Sequence, residues 1–250
     1  TVIPVIPLPS SAQVDAIYDK GASVLVRQLK RLQTTASVLH IGAHPDDEDS
    51  ALVAYHARSM NARTAYLSIT RGSGGQNIIG SEQSAALRVN RTEQLLQARK
   101  LDGAQQYFTS AKDYGFSKHN NEVVKFWPEN MVLRDIVRTI REFRPDVIVS
   151  RWNGTMSDGH GHHQYSGYII PLAIEAAADS SRYPEQIEEG IRLWKVKKLF
   201  VDARYNHNAE NQSLLEIDTG ENDPVVGRSP YEIGMQGRSQ HRTQQMGSLE

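Results

Sequence analysis

Apolar and polar positions alternate along this chain in blocks of two kinds. Short apolar runs at residues 38–41, 63–69, 105–109, 146–150 and 199–202 predict five β-strands. The fourth is nearly all apolar and reads as buried on both faces. Longer segments between them carry apolar residues at helical spacing. Ser10 or Ser11 is placed to cap a helix running to about Gln33 through Val14, Ile17, Val24, Leu25 and Leu29. Residues 50–57 predict a second helix and 82–101 a third, which Asp102-Gly103 ends. Pro128-Glu129 opens a fourth, with a stripe of Val132, Leu133, Ile136, Val137, Ile140 and Phe143, and Pro145 stops it. A last helix runs to Ala178. Strands alternating with helices of this length make βαβ units, so the expected class is α/β with a parallel sheet.

From Asn206 onward the chain is rich in Asn, Gln, Gly and Ser, and its periodicity is weak. No internal repeat or linker divides it, so the 250 residues form one domain, with 1–9 as a Pro-punctuated extended arm. Residues 247–250 read as a cloning remnant or the cut edge of a longer protein. The chain begins with Thr1, which implies removal of an upstream signal or of other sequence; an exported and a cytoplasmic location both stay open.

The bulk numbers mainly exclude. A net charge of -1 gives no electrostatic case for a nucleic-acid partner or an anionic membrane surface. No apolar run approaches the roughly 18 residues of a membrane span. The absence of Cys removes disulfides, thiolate metal sites and Cys nucleophiles together. Oligomeric state is not legible.

Two polar clusters stand out because each follows a predicted strand, where open α/β sheets place their sites. The first is Ala43-His44-Pro45-Asp46-Asp47-Glu48. Taken alone it also suits a helix N-cap with a Pro close by. The second, after the fourth strand, contains His160, His162 and His163, three of the nine His in the chain. Together they predict one metal ion held by His44, Asp47 and His163, two imidazoles and a carboxylate that leave positions open for water and substrate. His44 and Asp47 are three apart and converge if they lie on one helical turn. Asp46, left over beside the ion, is free to act as a base toward an acidified water. The Gly-rich turn 72–75 lacks the G-x-G-x-x-G order, so dinucleotide binding is a poor reading of it.

These motifs resemble the metal-dependent de-N-acetylases of the LmbE-like type, which include the glucosaminyl-phosphatidylinositol de-N-acetylases. Residues 43–48 match that family's A-H-P-D-D-E, and His160-Gly161-His162-His163 is similar to its H-P-D-H. Arg91-Thr92-Glu93 and His241-Arg242-Thr243-Gln244 look like two further family features. The resemblance implies a Rossmann-like three-layer sandwich and a zinc hydrolase that removes acetyl from an amino sugar or glycoconjugate. It makes His44, Asp47 and His163 the ligands, Asp46 the general base, and His160 the group that stabilises or protonates the tetrahedral intermediate, as an imidazolium. Zn²⁺, Co²⁺ and Fe²⁺ all suit these ligands. Gly161 and His162 stand where the family has Pro and Asp, so either His162 or His163 is the third ligand, and the alignment favours His163. Either another carboxylate, such as Asp158, then orients His160, or His160 is tuned differently. The family's substrate-contacting Arg falls at Asn90, which leaves Arg91, Arg88 or Arg71 to serve, with His241 as a further substrate contact.

Substrate choice is expected from loops 72–80, 114–124 and 206–227, with Trp152 and Tyr165 as aromatic surfaces for a sugar ring or as cover for the sheet edge. Glu48 orients His44 or favours the helix N-terminus. Two other readings use the same residues. Two His and one carboxylate describe non-haem Fe(II) oxygenases, which the βαβ pattern argues against. A sugar-binding module with a relic metal site has no use for Asp46.

Overall fold

The computed structural model describes residues 10–12, 16–203 and 214–246. Strands β2 (Ser37–Gly42), β3 (Arg63–Ser68), β4 (Gln105–Phe108), β5 (Val147–Ser150) and β6 (Lys198–Val201) run parallel. The short β1 (Ser10–Ala12) pairs antiparallel with β4 and completes a sheet in the order β1-β4-β3-β2-β5-β6. All five expected strands are present, in the expected α/β class.

The helices are α1 (Ala22–Arg31), α2 (Ser50–Ala54, continued by a π turn Tyr55–Ser59), α3 (Ser84–Asp102), α4 (Asn120–Val123), α5 (Glu129–Phe143), α6 (Gly161–Ala178), α7 (Pro184–Glu188) and α8 (Pro230–Arg238). Side chains alternate between the two faces of the sheet. Leu39, Ile41, Leu67 and Ile148 point into the main core, which α5 and α6 close with Ile136, Val137, Ile140, Ile169 and Ile170. Each such side chain contributes about 1.5–3 kcal/mol by leaving water. On the opposite face Tyr66 and Phe108 meet Leu95 of α3, and α8 packs against α2 and α3. The result is the three-layer Rossmann-like sandwich.

The chain enters the parallel sheet at β2, builds outward through β3 and β4, then crosses back to β5 and β6 on the other side. Strand order therefore reverses between β2 and β5. In such sheets the crevice beyond the carboxyl ends of those two strands is where ligands bind. Both polar clusters emerge there.

Besides the short helices α4 and α7, which the sequence reading did not place, three elements differ from it. The helix expected from Ser10 to Gln33 is strand β1 and a shorter α1, entered through Gly21 at φ 57; residues 13–15, with Val14, lie outside the described residues. Leu25 and Leu29 of α1 remain exposed, so its spacing reports a helix without a buried stripe. In the low-periodicity C-terminal stretch, α8 forms because Ser229 and Glu232 make a reciprocal capping box with Pro230 in the first turn. Gly234 brings α8 onto the α2 backbone, where any Cβ would collide with Ala51. The arm 1–9, the end 247–250 and part of loop 206–227 lie outside the described residues.

Candidate metal centre

Leaving β2, the backbone turns through His44 to Asp47, closed by the Asp47 N–H donating to the His44 carbonyl at 3.3 Å. This turn precedes α2; it is not its first helical turn. Asp49, not Asp46 or Asp47, is the N-cap, its carboxylate accepting from the Leu52 N–H at 3.0 Å. Asp47 folds back over the strand end. Its Oδ2 accepts the N–H groups of Ala43 and His44, both at 2.8 Å, and the Trp152 indole N–H at 3.2 Å. A Cβ at Gly42 would collide with Asp47 and with the Tyr66 hydroxyl, which donates to the His44 carbonyl at 2.6 Å. The loop is thus locked from four directions.

From the β5 side, α6 delivers three imidazoles in its first turn. His163 lies flat on Trp152, with ring centres 3.8 Å apart and planes 8° from parallel. Its Nδ1–H donates to the Asp158 carbonyl at 3.1 Å, and Nε2, where a neutral ring then has its lone pair, faces Asp47 Oδ1 at 3.4 Å. His44 Nδ1 is 3.4 Å from Asp47 Oδ2. Both spacings exceed a charge-assisted hydrogen bond of about 2.7–2.9 Å. Each is close to the separation of about 3.4 Å between two ligands that sit about 2.0–2.1 Å from a shared centre, although the two end on different oxygens of Asp47. One nitrogen or oxygen from each of His44, Asp47 and His163 lies within 4.8 Å of the others, and so does one nitrogen from each of His44, His160 and His162; the first set includes a carboxylate and suits a divalent cation better. Burial opposes ionisation of Asp47, but His163 and His44 hold it well below the usual carboxylate range. Burial would also push His44 down, and Asp47 outweighs it, raising His44 above the ordinary value. The cluster keeps Asp47 a carboxylate, the state a cation needs.

Asp46, adjacent in sequence, takes a different partner. Its Oδ1 accepts from the Arg91 guanidinium, which also donates to the Gly72 carbonyl at 3.3 Å. Gly72, at φ 70, lets Arg91 pass where a Cβ would block it. Arg91 is buried and engaged, so it orients Asp46; the expectation that it contacts substrate does not fit that position. His241 likewise differs: it is buried with its Nε2 3.3 Å from Glu48 Oε1. Glu48 also pairs with Arg99 at 3.0 Å, and Arg99 with Asp102. This fully buried network lies beneath the loop and does not touch the His44 ring, so Glu48 anchors the loop through α3 and the C-terminal segment. Of the expected substrate contacts, Arg71 and Arg88 line a cavity of 440 Å³, shared with Asp113 and Tyr114.

His160 faces the candidate ligand cluster, its ring centre 5.2 Å from that of His44. Its Nδ1 accepts the His162 N–H at 3.2 Å, which places the neutral ring's proton on Nε2. Burial, helped by His44 and His163, pushes its pKa down to about 4. At neutral pH it is therefore an imidazole and not the expected imidazolium. Asp158 does not orient it; that carboxylate accepts the N–H groups of Asn153 and Gly154. Ser117 Oγ, 3.4 Å from Nδ1, is the nearer side-chain partner.

Trp152 and Tyr165 are buried, one against His163 and the other against Trp127. Neither offers a face to a sugar. The exposed aromatic at the site is Phe116, its ring centre 5.0 Å from that of His160. In loop 206–227, the described part binds α1 through Asp223 and Arg27 at 3.1 Å. Phe116, Ser117, Trp127 and Arg99 carry no motif in the sequence, and only the fold brings them here.

A family model described as PIG-L, GlcNAc-PI de-N-acetylase, matches residues 39–174, more than half of the chain. The chain is 27% identical over 202 residues to a 1D-myo-inositol 2-acetamido-2-deoxy-alpha-D-glucopyranoside deacetylase of Frankia casuarinae, covering 72% of this chain and 62% of that protein. It is 28% identical over 163 residues to the mycothiol S-conjugate amidase of Streptomyces coelicolor, covering 59% and 55%. It therefore spans less than two thirds of the length of either relative. Among solved structures, N,N'-diacetylchitobiose deacetylase from Pyrococcus horikoshii superimposes with a TM-score of 0.61 at 14% identity, over 92% of this chain and 80% of that one. The A40926 pseudoaglycone deacetylase does so with 0.52 at 18% identity, over 84% and 83%. At these identities the structural likeness speaks for the fold.

Proposed function

The chain belongs to the PIG-L family of GlcNAc-PI de-N-acetylases, and on that basis we propose that it is a zinc-dependent amide hydrolase releasing acetate from an N-acetylated amino sugar or glycoconjugate. The observation that carries this reading is Asp46: a carboxylate held by Arg91 immediately beside the His44, Asp47 and His163 donor set. A module that only bound sugar would gain nothing from a base kept in that place.

When bound there, a divalent cation such as zinc supplies a water acidic near neutral pH and a positive charge to polarise the acyl oxygen. The chain's own residues supply the rest. Asp46, with Oδ1 tied to Arg91, keeps Oδ2 for the proton of the attacking water and then passes that proton to the departing amine. His160, with Nδ1 occupied by the His162 N–H, presents Nε2–H to the oxygen that gains charge in the transition state. One such donor is worth about 3 kcal/mol in a site that excludes water. Arg91 fixes the direction of Asp46, and Trp152 shields the ligands on one side.

A zinc-reconstituted full chain is expected to release acetate from at least one N-acetylated sugar in a panel of amino sugars and glycoconjugates, and to lose that activity on chelation. Oxygen consumption with iron, and no acetate with any metal, would point instead to an oxygenase.

A further inference from the structure

His162 has no part in that chemistry, yet it is among the most enclosed polar groups of the site. Its side chain is fully buried. The ring lies on Trp127, with centres 4.2 Å apart and planes 17° from parallel, meets Tyr114 edge-on at 4.5 Å, and stacks on His160 at 4.5 Å. Three aromatic neighbours fix its ring plane. In that plane Nδ1 lies 2.9 Å from His44 Nε2, across 118 residues of sequence.

We infer that His162 is a positioning residue for the metal ligand His44, fixing its tautomer and ring plane from the side facing away from Asp47. His44 Nδ1 faces Asp47, and Nε2 faces His162. A neutral imidazole that gives its Nδ1 lone pair to a cation carries its proton on Nε2. That proton needs an acceptor within reach. The one on offer is the lone pair of His162 Nδ1. His162 in turn carries its own proton on Nε2, which has no hydrogen-bond partner among the described residues. The opposite arrangement, with His162 Nδ1 donating, would protonate His44 on the nitrogen nearer Asp47 and exclude a cation. Metal binding and the direction of this one hydrogen bond are therefore linked.

The same nitrogen pair separates the two roles that Gly159–His163 left open. His163 turns Nε2 toward Asp47, while His162 turns its accepting nitrogen toward the back of another ligand. Outer partners of this kind change metal affinity by about 10- to 100-fold when removed. An imidazole acceptor does this without adding negative charge behind His44.

The inference rests on the metal site proposed above and is tested on metal binding, separately from catalysis. Zinc affinity of the full chain is measured by chelator competition for the native protein, His162→Asn and His162→Leu. Asn keeps an acceptor oxygen where Nδ1 stands; Leu removes it. Native-like affinity, within threefold, is expected for His162→Asn, with a 10- to 100-fold loss for His162→Leu. Equal affinity in His162→Leu, or a loss in His162→Asn as large as in His162→Leu, would overturn the positioning role. Should His162→Leu fail to fold, ¹⁵N NMR of the zinc-loaded native protein decides. Nε2-protonated rings at both His44 and His162 are expected, and a protonated His162 Nδ1 would overturn the inference. If these outcomes hold while no acetylated sugar is cleaved, the proposed reaction fails and the role of His162 stands.

Discussion

The two loops that build the candidate metal centre follow neighbouring parallel strands, yet they are held by different forces. The β2–α2 loop is tied by carboxylates: Asp47 Oδ2 gathers three N–H groups, Asp49 caps α2, and Glu48 anchors the loop from below through Arg99 and His241. In the loop after β5 Asp158 ties the Asn153 and Gly154 backbone, but the histidines themselves are held by rings: Trp152 under His163, Trp127 under His162, and Phe116 beside His160. Hydrogen-bonded carboxylates demand particular residues at particular spacings. Stacked rings demand shape, and several residues can supply it. The first loop accordingly matches its family motif residue for residue, while the second carries His162 where the family has Asp.

The sharpest way to break the contrast is Asp47→Ala, which removes a proposed ligand and the lock of the first loop together. Zinc affinity by chelator competition is expected to fall more than about 100-fold, beyond what outer partners cost. A smaller loss would mean that the loop after β5 holds the ion largely alone. Glu48→Ala separates anchoring from ligation. It leaves the fully buried Arg99 with Asp102 as its remaining charged partner, and a cost of about 3–5 kcal/mol in urea unfolding is expected. Zinc bound per folded chain should stay at the native level.

A smaller effect comes from beneath the first loop. His40 Nε2 and His56 Nδ1 are 3.0 Å apart, and burial pushes His56 down to about 4. Between that value and the ordinary 6.5, the unfolded chain binds a proton there that the folded chain refuses. The contribution of neutral His56 is thus complete above about pH 6.5 and is lost as pH falls toward 4. For this group the slope reaches at most about 1.4 kcal/mol per pH unit. His56→Asn, which keeps an acceptor near the Nδ1 position, is expected to flatten the pH dependence of metal-free stability across that window. An unchanged slope would place the acid sensitivity elsewhere.

The same difference explains what the sequence disclosed. The five parallel strands were legible because apolar runs alternated with helical stripes. Residues 43–48 were legible because hydrogen bonding to a strand end is local. Asp46 was singled out as the base from adjacency alone; that Arg91 holds it, and so does not face substrate, required α3 to be packed against the loop. Trp127 and Ser117 reach the histidines through tertiary packing that leaves no periodic trace. Helix α8 did leave one, the Ser229–Glu232 capping box, but with Gly at 234 and 237 there was little apolar stripe beside it. The charge of His160 was misjudged because burial, which decides it, is not written in the motif.

The central claim is that neighbouring aspartates divide the work, Asp47 holding the ion and Asp46 moving the proton. Asp46→Asn tests it most directly, with zinc content and acetate release measured on the same reconstituted sample. One zinc per chain at native affinity, with turnover lowered by about 10²–10⁴-fold, is the predicted result. Native turnover in that variant, or loss of zinc with it, would contradict the division.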